Sequence, residues 1–414
     1  MHIAIIGNGI AGISTARHIR KLSDHKITVI SAETDHFFSR TALMYIYMGH
    51  MKYEHTKPYE DFFWKKNRID LLRKYVQHLD IPAKQLLFSD GTTLGYDKLV
   101  LATGSRPNKF GWPGQDLKGV QGMYSYQDLE SMEAASAGLK HAVIVGGGLI
   151  GIEMAEMFHS RHIPVTFLVR ENSFWDAVLP AEESAMINRE IRAQQGIDLR
   201  LNEELKEILP DENGHARAVI TGKGEEIPCQ FVGLTAGVHP PIDLAKSTEI
   251  ETNRGILVDE YLQSSVPDVY AIGDCAELRH PGPGRRSIEA VWYTGKLMGP
   301  VLAQTLCGNP TRYEQGVWFN SAKFFDIEYQ VYGQVGNVPA PGEKQLYWEH
   351  EGGRKAIRII YSVEGGHVTG FNLMGIRYRQ EVCEKWIAEK THIETVLRDL
   401  EKAHFDPEFF ARHE

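Results

Sequence analysis

Gly7-Asn8-Gly9-Ile10-Ala11-Gly12 follows the apolar run His2-Ile3-Ala4-Ile5-Ile6 and opens a helical pattern that continues to about Arg20. A second turn, Gly146-Gly147-Gly148-Leu149-Ile150-Gly151, follows Ala142-Val143-Ile144-Val145 in the same way. Strand, glycine turn and helix in that order bring bare backbone N–H groups and the positive end of a helix dipole to one point, which suits a pyrophosphate. Two such turns in one chain point to two dinucleotides held together, an arrangement that usually serves electron exchange.

Outward from the first turn, the alternating run Lys26-Ile27-Thr28-Val29-Ile30-Ser31 reads as a strand leading to Glu33. That carboxylate stands about 20 residues past the glycines, where a ribose hydroxyl is bound in the βαβ fingerprint. Residues 37–73 read as helical and rich in aromatics and methionine, and short strands then lead through Lys98-Leu99-Val100-Leu101 into the small-residue turn Ala102-Thr103-Gly104-Ser105. Past the second turn, the strand Val165-Thr166-Phe167-Leu168-Val169 runs into Arg170, and short strands fill residues 199–236. The strand Val269-Tyr270-Ala271-Ile272 ends in Gly273-Asp274, with a helix signal at about Ile288 to Leu306.

The last hundred residues alternate as strands and then turn helical from about Arg379, with Thr391-His392-Ile393-Glu394 reading as a capping box. The fold class expected is α/β: two Rossmann-like dinucleotide-binding domains plus a C-terminal α+β domain. The boundaries expected are 1–113 with 242–309 for the first domain, 114–241 for the second and 310–414 for the third.

Composition excludes several classes. A formal charge of -9 argues against a nucleic-acid partner, because phosphate neutralisation needs surplus lysine and arginine. No apolar run reaches the ~18 residues of a membrane span. With a strand starting at His2, the expectation is a cytoplasmic protein. Four cysteines lie far apart without a CxxC pair, so neither a disulfide framework nor a thiol redox pair is expected. Cys275 reads as a packed small residue, His159 and His162 as surface residues rather than metal ligands, and Met44, Met48 and Met51 as a packing face. No metal is expected.

HIAIIGNGIAG, YDKLVLATGSRP, AVIVGGGLIGIEMAE, VGLTAGVHP and SVPDVYAIGDCAE occur in the order and rough spacing of the FAD- and NAD(P)-dependent pyridine nucleotide-disulfide oxidoreductase superfamily, which residues 1–310 resemble. Val317-Trp318-Phe319-Asn320-Ser321-Ala322-Lys323-Phe324-Phe325-Asp326 is similar to the opening of the C-terminal domain in ferredoxin, rubredoxin and nitrite reductases and in apoptosis-inducing factor. Asn320 departs from a tryptophan frequent in those reductases.

The resemblance implies that Gly7, Gly9, Ile10, Ala11 and Gly12 seat the FAD pyrophosphate, that Glu33 takes the adenosine ribose and that Arg40 lies along the cofactor. It implies that Val76 holds adenine through its backbone, that Ala102, Thr103 and Gly104 pass close to FAD, and that Asp274 bonds the ribityl chain. The helix carrying Trp292 would then point at the flavin. Gly146, Gly148, Leu149, Ile150 and Gly151 would receive NAD(P)H, with Gly237 beside the nicotinamide. An NAD-type site would carry an acid about where Val169 stands; the next residue here is Arg170, suited to a 2'-phosphate, which leans the reading toward NADPH, although Glu171 follows at once. Glu153 matches a carboxylate near flavin and nicotinamide in relatives and is the candidate catalytic residue; Tyr45 stands where its lysine partner is expected.

Thr41 replaces the redox cysteine of peroxidase-type relatives, so electrons are expected to leave through the flavin itself. The function implied is an FAD-dependent NAD(P)H oxidoreductase serving a small carrier such as ferredoxin or rubredoxin, in a monomer or homodimer. Two alternatives are an NAD(P)H oxidase or quinone reductase and a redox-responsive binding protein like apoptosis-inducing factor. The polar Phe405-to-Glu414 end argues against a membrane quinone reductase.

Overall fold

A computed structural model describes residues 1–405. The chain divides into two compact units: Met1–Asn108, Gly122–Ala137 and Gly237–Gln315 form the first, and Lys109–Gln121, Gly138–Ala236 and the chain from Gly316 form the second.

The first unit is built on a five-stranded parallel sheet in the order Val269–Ala271, Lys98–Leu101, His2–Ile6, Lys26–Ser31, Ile69–Arg73. Near-continuous apolar strands are what a sheet covered on both faces requires, and Ile3, Ile5, Ile27, Leu99 and Val100 are fully buried. Strand order reverses beside His2–Ile6, where the glycine turn emerges, so the crevice at the strands' carboxyl ends opens there. The helix Ile10–Leu22 packs closely on the helix Trp292–Leu306. A Cβ on Gly299 would lie 2.5 Å from that of Ser14, so only glycine permits this approach.

Three local readings are corrected. Ile69–Arg73 is a strand paired with Lys26–Ser31, not a continuation of helix, because its apolar residues complete a sheet edge. Residues 40–66 hold only short turns of helix: Arg40–Ala42, Leu43–Tyr47, Tyr53–Thr56 and Phe62–Lys66. The later helix begins at Trp292, not Ile288, because the backbone before it is extended, with Val291 at φ -135° and ψ +146°.

Segment 122–137, grouped by sequence with the second glycine turn, packs in the first unit. Its helix Tyr126–Ala135 starts with a capping box between Ser125 and Asp128 and buries Leu129 and Met132. The second unit repeats the architecture with a parallel sheet ordered Ile197–Leu201, Val165–Val169, Ala142–Val145, Phe231–Leu234, Val120–Gln121.

The same unit contains an antiparallel sheet ordered Phe319–Phe324, Ile327–Gly333, Val368–Met374, Ala356–Ser362, Glu343–Glu349, backed by the helices Gln380–Ala388 and Ile393–Arg398. The last helix is capped by His392, whose ring accepts the Glu394 N–H, instead of by a Thr391 box, because the helix starts one residue later than the box needs. Arg358, fully buried on this sheet, donates to both Glu183 oxygens at 2.7 and 2.8 Å, so the helix Ala181–Ala193 is bound to the sheet. The polar end from Asp406 onward lies outside the described residues.

Candidate dinucleotide sites

The first glycine turn is built by close approach. Gly7 has φ +119°, and a Cβ there would stand 2.0 Å from the Ala102 carbonyl oxygen. On Gly12 a Cβ would stand 2.1 Å from the Gly7 carbonyl oxygen, whereas a Cβ on Gly9 meets nothing within 4 Å. The outer glycines therefore lock helix against strand, and the middle one faces open space at the helix N-terminus. That is the cradle a pyrophosphate needs. In the second unit Gly146 has φ +115° and a Cβ there would stand 2.9 Å from the Thr235 carbonyl, one on Gly151 would stand 2.5 Å from the Gly146 oxygen, and one on Gly148 again meets nothing within 4 Å.

In the first unit, two of the expected polar groups, Arg40 and Asp274, converge on a tyrosine that belongs to no motif, and Glu33 is tied to it through Arg40. Glu33 and Arg40 form a two-pronged ion pair at 2.8 and 2.6 Å, and Glu33 also accepts the Tyr126 N–H at 2.8 Å. Arg40 donates to the Tyr124 carbonyl at 2.6 Å and lies over the Tyr124 ring, 4.5 Å from its centroid. The Tyr124 hydroxyl accepts the Ser105 N–H at 3.0 Å and donates to Asp274 at 3.3 Å, and the Ser105 hydroxyl donates to the same carboxylate at 3.1 Å.

Burial pushes the Tyr124 phenol upward, keeping it a donor. Burial also pushes the Asp274 carboxyl up, while Ser105, Tyr124 and Arg40 pull it back. Burial works against the Arg40 charge, yet Glu33 outweighs it and holds Arg40 above its ordinary value. Gly104 is glycine for the same cluster: a Cβ there would lie 2.6 Å from the Tyr124 oxygen.

The remaining first-unit candidates surround this centre less directly. Ile10 and Ala11 open the helix, Thr103 follows Ala102 in the turn, and Trp292 starts its own helix with an indole N–H that is buried and has no hydrogen-bond partner. Val76 sits in a separate three-stranded sheet, paired with Phe88. Gly237, at φ +85°, precedes a two-residue pairing with Arg106–Pro107 and accepts the Asn108 N–H. Cys275 is buried against the Leu101 and Ile272 carbonyls, and Thr41 is exposed.

In the second unit, Leu149 and Ile150 begin the helix Leu149–Ser160, and Arg170 stands exposed past its strand, 3.0 Å from Glu171. Glu153 is half-buried on that helix. Its burial, reinforced by the Glu156 charge one turn on, pushes its carboxyl up to about 7. Glu156 is itself held by Lys323 at 2.6 Å. The unfolded chain releases this proton near 4.5 and the folded one keeps it to about 7, so stability declines as pH rises through that window and is level above it. Glu153→Gln is expected to remove the decline, matching the parent at pH 4 and exceeding it at pH 8 by roughly 1–3 kcal/mol in urea unfolding. Parallel stability profiles for the two proteins would contradict this.

Two parallel sheets, each with a glycine cradle at its switch point, define a protein of the double dinucleotide-binding class. The family profile described as pyridine nucleotide-disulphide oxidoreductase matches residues 1–295, and the chain belongs to that family. The nitrite reductase [NAD(P)H] of Bacillus subtilis is 27% identical over 90% of this chain, which spans only 45% of that relative's length. The ferredoxin reductase subunit of the 5,5'-dehydrodivanillate O-demethylase of a Sphingobium species is 30% identical, over 89% of this chain and 88% of its own. The crystal structure of a ferredoxin reductase from Rhodopseudomonas palustris shares the fold with a TM-score of 0.82 and 23% identity, over 90% of this chain and 91% of its own. Among the described residues, no helix is long and apolar enough to cross a membrane, and no group of three or more His, Cys, Asp or Glu is arranged to hold a metal.

Proposed function

We propose that this chain is an FAD-dependent NAD(P)H oxidoreductase that passes electrons to a small carrier protein such as a ferredoxin or rubredoxin. The observation carrying this is the pair of cradles, each with locked outer glycines and an open middle one. A flavin held there would supply the redox chemistry, taking a hydride and giving its two electrons up singly. The first cradle would seat its pyrophosphate, Glu33 and Arg40 would take the adenosine half, and Asp274 would bond the ribityl chain. The N-terminus of the helix Trp292–Leu306 would stabilise negative charge on the ring. The unpartnered Trp292 N–H fits a polar ligand atom in that unit.

Glu153, retaining its proton to about neutrality, would present an uncharged carboxyl to an arriving nicotinamide. Direct exit of electrons from the flavin is supported by the cysteines: Cys229, Cys275, Cys307 and Cys383 are all free, and the first two and the last are buried. A carrier protein as acceptor is supported by the ferredoxin reductase relative.

The purified chain is expected to be yellow and to bleach anaerobically with NAD(P)H, then recover on adding a carrier. A colourless chain that takes up no FAD would overturn the reading. We read Arg170 as the contact for a 2'-phosphate, since an exposed guanidinium at the strand end suits a doubly charged group. Arg170→Ala is expected to raise the NADPH requirement about tenfold, the equivalent of roughly 1.4 kcal/mol, while moving that for NADH less than about threefold. Equal effects on both nucleotides would remove the 2'-phosphate role.

A further inference from the structure

We infer that the C-terminal sheet sets the affinity of the second site for its nicotinamide dinucleotide through Trp175; this rests on the reading of the second cradle as the NAD(P)H site. Residues 170–180 form the loop that leaves the strand Val165–Val169 and carries Arg170 and Glu171 at its start. Trp175 within it has φ +55°, a left-handed conformation that a bulky side chain keeps only when its surroundings hold it there.

The surroundings are C-terminal. The Trp175 ring lies 5.7 Å from that of Phe324 and 5.8 Å from that of Tyr329, on two neighbouring strands of the antiparallel sheet, and those two rings are 5.7 Å apart. Asn337 adds a hydrogen bond from its amide to the Asp176 carbonyl at 2.8 Å. Trp175 in turn orders the end of the loop, its carbonyl accepting the N–H groups of Val178 and Leu179.

The same contacts run back to the glycine turn. Phe324 meets Phe174 at 6.2 Å, Phe174 meets Phe167 at 5.6 Å, and the Phe167 ring edge lies 3.0 Å from where a Cβ on Gly151 would be. Phe174, fully buried, is pinned at both backbone groups: its N–H donates to Asn188 at 3.0 Å and its carbonyl accepts from Ser184 at 2.5 Å. A continuous line of aromatic rings thus joins the C-terminal sheet to the cradle and the loop beside it. Trp175 touches none of the expected ligand-contacting residues through these contacts, so it is a positioning residue that keeps the loop in its binding conformation.

The test is anaerobic stopped-flow reduction of the flavin at increasing NADH and NADPH, which separates the nucleotide Kd from the limiting rate. Trp175→Gly permits the left-handed backbone but removes the ring, leaving the loop competent for a fraction of the time. Its Kd is expected to rise roughly tenfold, with the limiting rate within about twofold of the parent. Flavin content should be unchanged. Trp175→Phe keeps an aromatic ring in the cluster and is expected to stay within about threefold of the parent Kd. Asn337→Ala, which touches no core packing, should move Kd the same way by about two- to threefold. A Trp175→Gly Kd equal to the parent's, or a fall in limiting rate at unchanged Kd, overturns the inference. A parent protein that takes up FAD but is bleached by neither nucleotide overturns the NAD(P)H reading itself, and the inference with it.

Discussion

Gly9→Ala is expected to yield a folded protein without flavin, whereas Gly12→Ala is expected to yield little folded protein at all. The two residues stand three apart in one turn, yet their surroundings are opposite. A Cβ on Gly12 would sit 2.1 Å from the Gly7 carbonyl and 3.2 Å from the Ile5 side chain, with backbone on one side that cannot swing away. Overpacking of this kind costs about 3 kcal/mol or more, because the helix must leave the sheet to relieve it. A Cβ on Gly9 meets nothing within 4 Å, and Gly9 has φ -72°, which alanine adopts freely. Its cost to the fold is at most about 1 kcal/mol, the usual difference at a helix N-cap.

The added methyl then occupies the space through which a pyrophosphate approaches the N–H groups. FAD affinity is expected to fall about 100-fold, roughly 2.8 kcal/mol. Flavin absorbance per protein, with thermal unfolding on the same samples, separates the two effects. A Gly9→Ala protein that keeps the parent's flavin content would show that the first turn is not where FAD sits.

The second large effect concerns Arg358 and Glu183. Both side chains are essentially excluded from water, Arg358 at 1% and Glu183 at 0% exposure. Asn372 donates a further hydrogen bond to Glu183, and Gln345 and the half-exposed Glu182 accept from Arg358. Burial works against the Arg358 charge, but its carboxylate partners hold it above its ordinary value.

Glu183→Ala leaves that guanidinium buried with one partly exposed carboxylate, and breaking such a pair costs about 3–5 kcal/mol. The urea midpoint should drop accordingly from that of the parent. Replacing both partners at once, Glu183→Leu with Arg358→Met, removes the unpaired charge and is expected to recover most of the loss. A single variant that unfolds with the parent's midpoint would show that the pair is not a structural tie.

Much of the architecture is legible in the sequence because glycine turns, β-branched runs and helix starts are local features. The two βαβ units and the strand at Val269 follow from short apolar runs whose burial is set by their own composition. Ile69–Arg73 escapes such a reading for the opposite reason: it is a strand only because Lys26–Ser31 offers it an edge, and nothing in its own residues says so. Thr391 loses its capping role through a boundary one residue later than the motif suggests. Tyr124 belongs to no motif and Ser105 is only the end of a small-residue turn, and their place beside Asp274 depends on a residue 150 and 169 positions away from them in the chain. The one sequence trace of that contact is a glycine at position 104, whose missing side chain makes room for the Tyr124 hydroxyl.

The sequence by itself determined that this chain carries two glycine turns of the dinucleotide-binding kind, an acid past the first, an arginine just past the strand after the second, and no pair of cysteines close in sequence. Each of these is written in a few consecutive residues. Only the tertiary structure decided that Arg40 and Asp274 meet around Tyr124 with Glu33 paired to Arg40, and that the C-terminal sheet grips the loop beside the second turn. Those are contacts between residues far apart in the chain, chosen by how separately formed elements pack and by which buried charges find partners.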